Sequence, residues 1–90
     1  MKLVVDIGNT KVKAGVFDGK RLVEVRAYDA WRRDDLESLR QAYAIDGGIL
    51  ATVSDTPDWV AAAMADVPFL IWDRFQAGWR FPVHTAYDMA

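Results

Sequence analysis

Cysteine is absent from these 90 residues, and histidine occurs once, at His84. The first absence excludes a disulfide framework, thiolate catalysis and cysteine-ligated zinc, and the second excludes a metal site built on several imidazoles. Long apolar runs are missing as well. Leu3-Val4-Val5 is cut off at once by Asp6, too short for a signal peptide or a membrane span, so the sequence predicts a cytoplasmic protein with no membrane partner. Nor is there an excess of positive charge: 11 Lys and Arg against 13 Asp and Glu leave a net charge of −2, which argues against nucleic acid held by bulk electrostatics. The asymmetry that exists favours the amino-terminal half, where residues 1–45 carry nine basic and seven acidic side chains and residues 46–90 carry two and six. An anion site is therefore predicted early in the chain. Repeats, linkers and low-complexity stretches are also lacking. What is there is an ordinary globular composition, 52% hydrophobic and 27% charged, for a single domain over residues 1–90. A chain of this length buries roughly 60–65% of its unfolded surface, enough for one core but not for a cleft between two lobes.

The periodicities predict an α/β chain. Residues 2–7 are β-branched and apolar on both faces, the pattern of a short central strand covered on each side. Lys11 to Phe17 alternates, with Val12, Ala14 and Val16 on one face and Lys11, Lys13, Gly15 and Phe17 on the other. Asp18-Gly19 predicts a type I′ hairpin turn, after which Arg21 to Tyr28 alternates again through Val23, Val25 and Ala27, completing an antiparallel meander. At Asp34 the period lengthens. Asp34 with Glu37 makes a capping-box-like start, and Leu36, Leu39 and Tyr43 share one helical face until Gly47-Gly48 stops the helix. Ile49 to Val53 reads as a brief strand. Thr56-Pro57 reads as the cap and first-turn proline of a helix reaching about Ala65, with Trp59, Val60, Ala63 and Met64 as its buried stripe. Phe69 to Trp72 reads as a short buried strand. Beyond Asp73, Gly78 and Pro82 punctuate an extended segment in which Trp79, Phe81 and Val83 alternate. The order β-β-β-α-β-α-β predicts a five-stranded mixed sheet, because right-handed crossovers lay the later strands beside the first.

The stretch that carries chemistry is Asp6-Ile7-Gly8-Asn9-Thr10-Lys11-Val12-Lys13, where the first strand turns into its hairpin partner. Gly8 lets the backbone turn tightly and approach a ligand, and the amides and side chains of Asn9 and Thr10 suit an anion-binding nest. Lys13, two residues past Lys11 and so on the same strand face, offers an ammonium to a phosphate oxygen. Asp6 offers a carboxylate for magnesium held through water. On residue types alone the same stretch is equally an ordinary polar hairpin turn.

With the β-β-β-α-β-α-β order behind it, Asp6-Ile7-Gly8-Asn9-Thr10 followed by Lys13-x-Gly15 resembles the first phosphate motif of the acetate kinase, sugar kinase, Hsp70 and actin superfamily, and within it most resembles the type III pantothenate kinases. These are similar in having Asp-x-Gly-Asn-Thr-x-x-Lys-x-Gly, then a strand ending in small residues before a Pro-started helix, as in Ala51-Thr52-Val53-Ser54 and Pro57 here. Pro82-Val83 and Tyr87 match the start of a later family segment whose Gly-x-Asp-Arg continuation, with the catalytic Asp, falls past Ala90. The resemblance implies an RNase H-like, actin-like ATPase lobe, the amino-terminal phosphate-binding lobe of a two-lobed enzyme whose second lobe is absent. It further implies ATP-dependent phosphorylation of the primary hydroxyl of pantothenate, the first step toward coenzyme A. Asp6, Gly8, Asn9, Thr10, Lys11 and Lys13 would bind the ATP phosphates, Asp6 also Mg2+, and Tyr87 the pantothenate. Catalytic residues would lie outside the chain. A homodimer and a requirement for K+ or NH4+ are implied in the same way.

Other residues read more plainly. Trp59 and Trp72 sit on predicted core faces, while Trp31 and Trp79 flank breakers, a setting that leaves burial or exposure open. Arg32-Arg33 beside Asp34-Asp35 reads as a solvated cap region. His84 has neither a nucleophile nor an orienting carboxylate at matching spacing. The alternative to an enzyme lobe is a non-catalytic module that binds a ligand or associates with itself on the same fold. In either case the Trp79, Phe81 and Val83 edge is expected to promote association.

Overall fold

The structure, a computed structural model, describes residues 1–54 and 56–73. The expectations for Trp79, Phe81, Val83, His84 and Tyr87 lie outside the described residues. The β-branched opening forms β1 (Lys2–Ile7), the first alternating run β2 (Val12–Asp18) and the second β3 (Arg21–Tyr28). The 3.6-period stretch forms α1 (Arg33–Ala42), followed by β4 (Gly47–Thr52), a single turn of α2 (Val60–Ala63) and β5 (Phe69–Trp72). One five-stranded sheet results, in the order β3-β2-β1-β4-β5. The meander is antiparallel, and β1–β4 and β4–β5 are parallel. The fold is α/β with a mixed open sheet, compatible with an actin-like ATPase lobe.

The core lies on one side of that sheet. Leu3 and Val5 of β1, Val12, Ala14 and Val16 of β2 and Leu50 of β4 meet Leu36 and Leu39 of α1 and Val60 and Met64 beside α2. Register aligns them, pairing Leu3 with Val16 and Val5 with Ala14. Each fully buried Leu or Val contributes about 1.5–3 kcal/mol. The expected cover on both faces of β1 is not found among the described residues, since the two crossovers step the same way across the sheet and so put both helices on one face. On the other face one row crosses all five strands, Val25–Gly15–Val4–Ile49–Leu70. Its two ends are open, with Val25 45% and Leu70 47% exposed.

Several local expectations are corrected. Gly19 carries the positive φ, +61°, while Asp18 does not and instead pairs with Arg21 as the last residue of β2. The turn centres are therefore Gly19-Lys20, the II′ pattern with glycine first, and not Asp18-Gly19. The start of α1 is not Asp34 with Glu37: Arg32 is the N-cap, and the Asp35 carboxylate accepts its backbone N–H at 2.9 Å. Glu37 reaches Arg33 instead, at 3.4 Å. The helix ends at Tyr43, whose N–H donates to the Leu39 carbonyl, well before Gly47-Gly48. Those glycines open β4. A Cβ at Gly48 would stand 2.0 Å from the Leu3 carbonyl oxygen, so the β1–β4 approach admits no side chain there. The second helix is shorter than expected, starting only at Val60 and giving way after Ala63 to tighter turns in which the Ala65 N–H reaches the Ala62 carbonyl at 3.4 Å, and Arg40 holds this end by donating to the Ala63 carbonyl at 2.8 Å and gripping both oxygens of Asp66. Thr56 is not its cap. Phe69–Trp72 is an edge strand and not a buried one, and Trp72 is half-buried outside the core cluster. Trp31 is buried, packed edge-on against Tyr28 at 5.4 Å between ring centroids and 6.3 Å from Trp59.

Polar contacts fasten the helices to the sheet. Glu24 and Arg26 of β3 bond each other on the helix side, Tyr43 donates its hydroxyl to Glu24, and Arg26 reaches Ser38 at 3.3 Å. The Tyr43 hydroxyl, then Arg26, hold the Glu24 carboxyl below its ordinary value. Arg40 does the same to Asp66, and Lys2 with the N-terminal amine to Asp46.

Two outcomes follow. Gly48→Ala should lower the unfolding free energy from urea titration far more than Gly19→Ala, by about 3 kcal/mol against about 1 kcal/mol, since the first forces strand backbones apart and the second only strains a turn. Equal effects would remove the close approach as the reason for Gly48. A carboxyl whose pKa is depressed by folding stabilises the fold above its unfolded value and ceases to do so as pH falls through the folded one. Stability should thus be flat above the ordinary Glu value of 4.5 and decline below it. Glu24→Gln and Asp66→Asn should each make that decline shallower in urea titrations repeated along the pH scale.

Candidate functional site

In an open α/β sheet, ligands settle outside the carboxyl ends of the strands, beside a strand whose following connection leaves in the direction opposite to its neighbour's. Here that strand is β1, with the meander on one side and β4–β5 on the other. Its carboxyl end carries the loop Gly8-Asn9-Thr10-Lys11, closed by the Gly8 N–H donating to the Lys11 carbonyl at 2.9 Å. A Cβ on Gly8 would sit 3.3 Å from that oxygen, so glycine serves the closeness of the turn. Asn9 and Thr10 are exposed, and among the described residues neither backbone amide donates a hydrogen bond. Two neighbouring amides without partners at a strand end can receive one anion.

The flanking side chains divide by register. Asp6 is paired with Lys13 across β1–β2 and with Ala51 across β1–β4, all on the face away from the helices. Lys13 is exposed and Asp6 half-buried. Lys11 does not share this place, because β2 begins only at Val12 and the Lys11 ammonium reaches sideways to Asp29 at 3.0 Å. Both partners of that ion pair are largely exposed, 66% and 92%, and such pairs contribute about 0–1 kcal/mol. The structure thus brings Asp6, Gly8, Asn9, Thr10 and Lys13 to one end of β1 and ties Lys11 to its side. Tyr87 lies outside the described residues.

Two hydroxyls not anticipated as site residues stand beside this loop. Thr52, opposite Ile7 in the β1–β4 register, is 8% exposed. The next residue extends the pairing, with the Val53 N–H donating to the Ile7 carbonyl at 3.2 Å, so that β4 leaves the sheet next to Gly8. Thr52 Oγ1 accepts the Ser54 N–H at 3.2 Å and lies 3.3 Å from Ser54 Oγ. The run Ala51-Thr52-Val53-Ser54 was visible in the sequence as a small-residue strand end, but its neighbour was not.

For a metal, the described residues hold no group of three or more His, Asp or Glu side chains. Mg2+ does not ask for one, since it takes one or two carboxylates and completes its shell with water and phosphate oxygens. Asp6 beside a phosphate-binding loop fits that donor set. No helix among the described residues is long and apolar enough to cross a membrane.

Comparison with known proteins finds relatives of this chain. The chain is 39% identical over 69 residues to a type III pantothenate kinase of Bacteroides fragilis, in each of two strains, and 34% identical over 71 residues to one of Phocaeicola vulgatus. The matched stretches take in 76% and 79% of this chain. The chain spans only 28–29% of the length of these curated relatives. No family model matches.

Amide hydrogen exchange checks the loop. The amides of Gly8 and Val53 should be protected and those of Asn9 and Thr10 should exchange at nearly the rate of an open chain. Protection at Asn9 and Thr10 without ligand would mean that those amides already have partners.

Proposed function

We propose that the chain is the phosphate-binding lobe of an ATP-dependent kinase that phosphorylates pantothenate, the reaction at the head of coenzyme A synthesis. The observation that carries the reading is the Asp6-to-Lys13 loop standing at the carboxyl end of the switch strand, with both amides of Asn9 and Thr10 open among the described residues. The names of its relatives supply the acceptor.

In this reading the Asn9 and Thr10 amides, with their side chains, receive the ATP phosphates, and the Lys13 ammonium adds charge from the neighbouring strand. Lys11, held on Asp29, fixes the far side of the loop. Asp6 holds Mg2+ through water, and the metal when bound neutralises charge on the phosphate oxygens. Transfer moves the γ-phosphoryl group to the primary hydroxyl of pantothenate, whose proton passes to a base. That base, the second lobe and the K+ or NH4+ requirement belong to the parent enzyme by resemblance, as do the homodimer, the cytoplasmic location and the Tyr87 contact to pantothenate. A module that binds or associates without catalysis is the alternative, favoured by the exposed Val25 and Leu70 at the two ends of the sheet row.

Titration calorimetry with ATP and Mg2+ tests the reading. Wild type should bind, Lys13→Ala should bind about tenfold more weakly through loss of a charge-assisted contact, and Lys11→Ala should stay within about twofold. A coupled ADP-release assay with pantothenate and K+ should show no turnover by these 90 residues alone, since half of a phosphate cradle excludes no water and supplies no base. ATP binding indifferent to Lys13 would favour the alternative.

A further inference from the structure

We infer that Ser54 is an additional phosphate-binding residue, and that the buried Thr52 is the positioning residue that aims its hydroxyl. The inference rests on the phosphate-binding reading above and extends the site across the β1–β4 seam. A hydroxyl has one hydrogen to donate and lone pairs to accept with. Thr52 is 8% exposed, so water does not serve it freely, and its Oγ1 already accepts the Ser54 N–H at 3.2 Å. Among the described residues the acceptor in reach of the Thr52 hydrogen is Ser54 Oγ, at 3.3 Å. With Thr52 as the donor of that pair, the hydrogen of Ser54 is left for a third group. A hydroxyl that accepts one bond becomes the better donor of the next.

The placement of that hydrogen follows from the register. Thr52 stands opposite Ile7, and the Val53 N–H holds the Ile7 carbonyl at 3.2 Å, so Ser54 emerges where Gly8-Asn9-Thr10 leaves β1. Ser54 is exposed, whereas its partner Thr52 is buried. The donors of the two loops are the amides of Asn9 and Thr10 and the Ser54 hydroxyl, while Lys13, two strands from β4, and the Asp6 carboxylate stand on the face away from the helices. The ligand class that satisfies donors from two adjacent loops at once is a polyphosphate, whose oxygens point in several directions. A single strand-end loop would hold one phosphate, and the pair of loops holds two neighbouring ones.

The experiment is titration calorimetry of the protein with ATP and Mg2+, using Ser54→Ala, Thr52→Val, Thr52→Ser and the double variant Thr52→Val/Ser54→Ala, with Lys13→Ala as reference. Ser54→Ala should weaken ATP about tenfold, the usual loss for a hydrogen bond to a charged group. Thr52→Val should weaken it several-fold although its side chain touches no ligand, and Thr52→Ser, which keeps the hydroxyl, should restore it. The double variant should be no weaker than Ser54→Ala alone, because the two act as one unit. Near-wild-type affinity for Ser54→Ala, with Lys13→Ala still weak, would overturn this inference and leave the phosphate-binding reading standing. Additive losses, or a Thr52→Val that binds like wild type, would overturn the positioning role. Absence of ATP binding altogether would overturn both.

Discussion

A strand with an antiparallel neighbour on one side and a parallel neighbour on the other must satisfy two different hydrogen-bond patterns with the same backbone, and in this chain that strand is β1. Its six residues meet β2 in one direction and β4 in the other. Most of what distinguishes the molecule depends on this double pairing. It places Leu3 and Val5 at the centre of the core, it requires a residue without a side chain at Gly48, and it makes the carboxyl end of β1 the point where two loops part. The chemistry of the site is a consequence of that parting. Gly8-Asn9-Thr10 turns toward the meander and Val53-Ser54 toward α2, and each carries exposed polar residues.

Much of this was legible in the residues. Alternation gave the meander, the lengthened period gave α1, and the order of elements gave the mixed sheet, because these are local patterns that burial enforces directly. Features that depend on distant partners were not legible. Alternation in β3 separates Val23, Val25 and Ala27 from Glu24, Arg26 and Tyr28 but does not say which set meets the helices. The polar set does, because Glu24, Arg26, Tyr43 and Ser38 satisfy one another. Gly47-Gly48 had the look of a helix stop, yet its reason is a carbonyl of residue 3. Trp31 stands among breakers in sequence and is buried because Tyr28 and Trp59 are brought to it.

The candidate site divides along the same line. Asp6, Gly8, Asn9 and Thr10 could be grouped from the sequence because they lie within one short stretch, and Lys13 because strand alternation fixes its face. Lys11 was grouped with Lys13 by that spacing, whereas the ion pair with Asp29 separates them. Thr52 and Ser54 were passed over as functional groups because their nearness to the loop exists only through the β1–β4 ladder. A buried hydroxyl is also read from sequence as a neutral filler, and its hydrogen-bond count becomes informative only when its neighbours are known.

The β1–β4 ladder has a further consequence, for the order in which the chain acquires its structure. Ile7 and Thr52 are partners across 45 positions, whereas the meander joins near neighbours. Closing so long a loop carries an entropic cost that the hairpins do not face. During synthesis β1–β2–β3 can form while β4 is still inside the ribosome, and the outer edge of β1 then stands as an unmatched template beside a half-built core. Contacts of large sequence separation slow folding, so the pairing that sets Gly48 under the Leu3 carbonyl carries the largest closure cost among the strand pairs of this sheet. The same event that completes the hydrophobic core brings Val53 and Ser54 to Gly8, so the candidate site and the folded state come into being together.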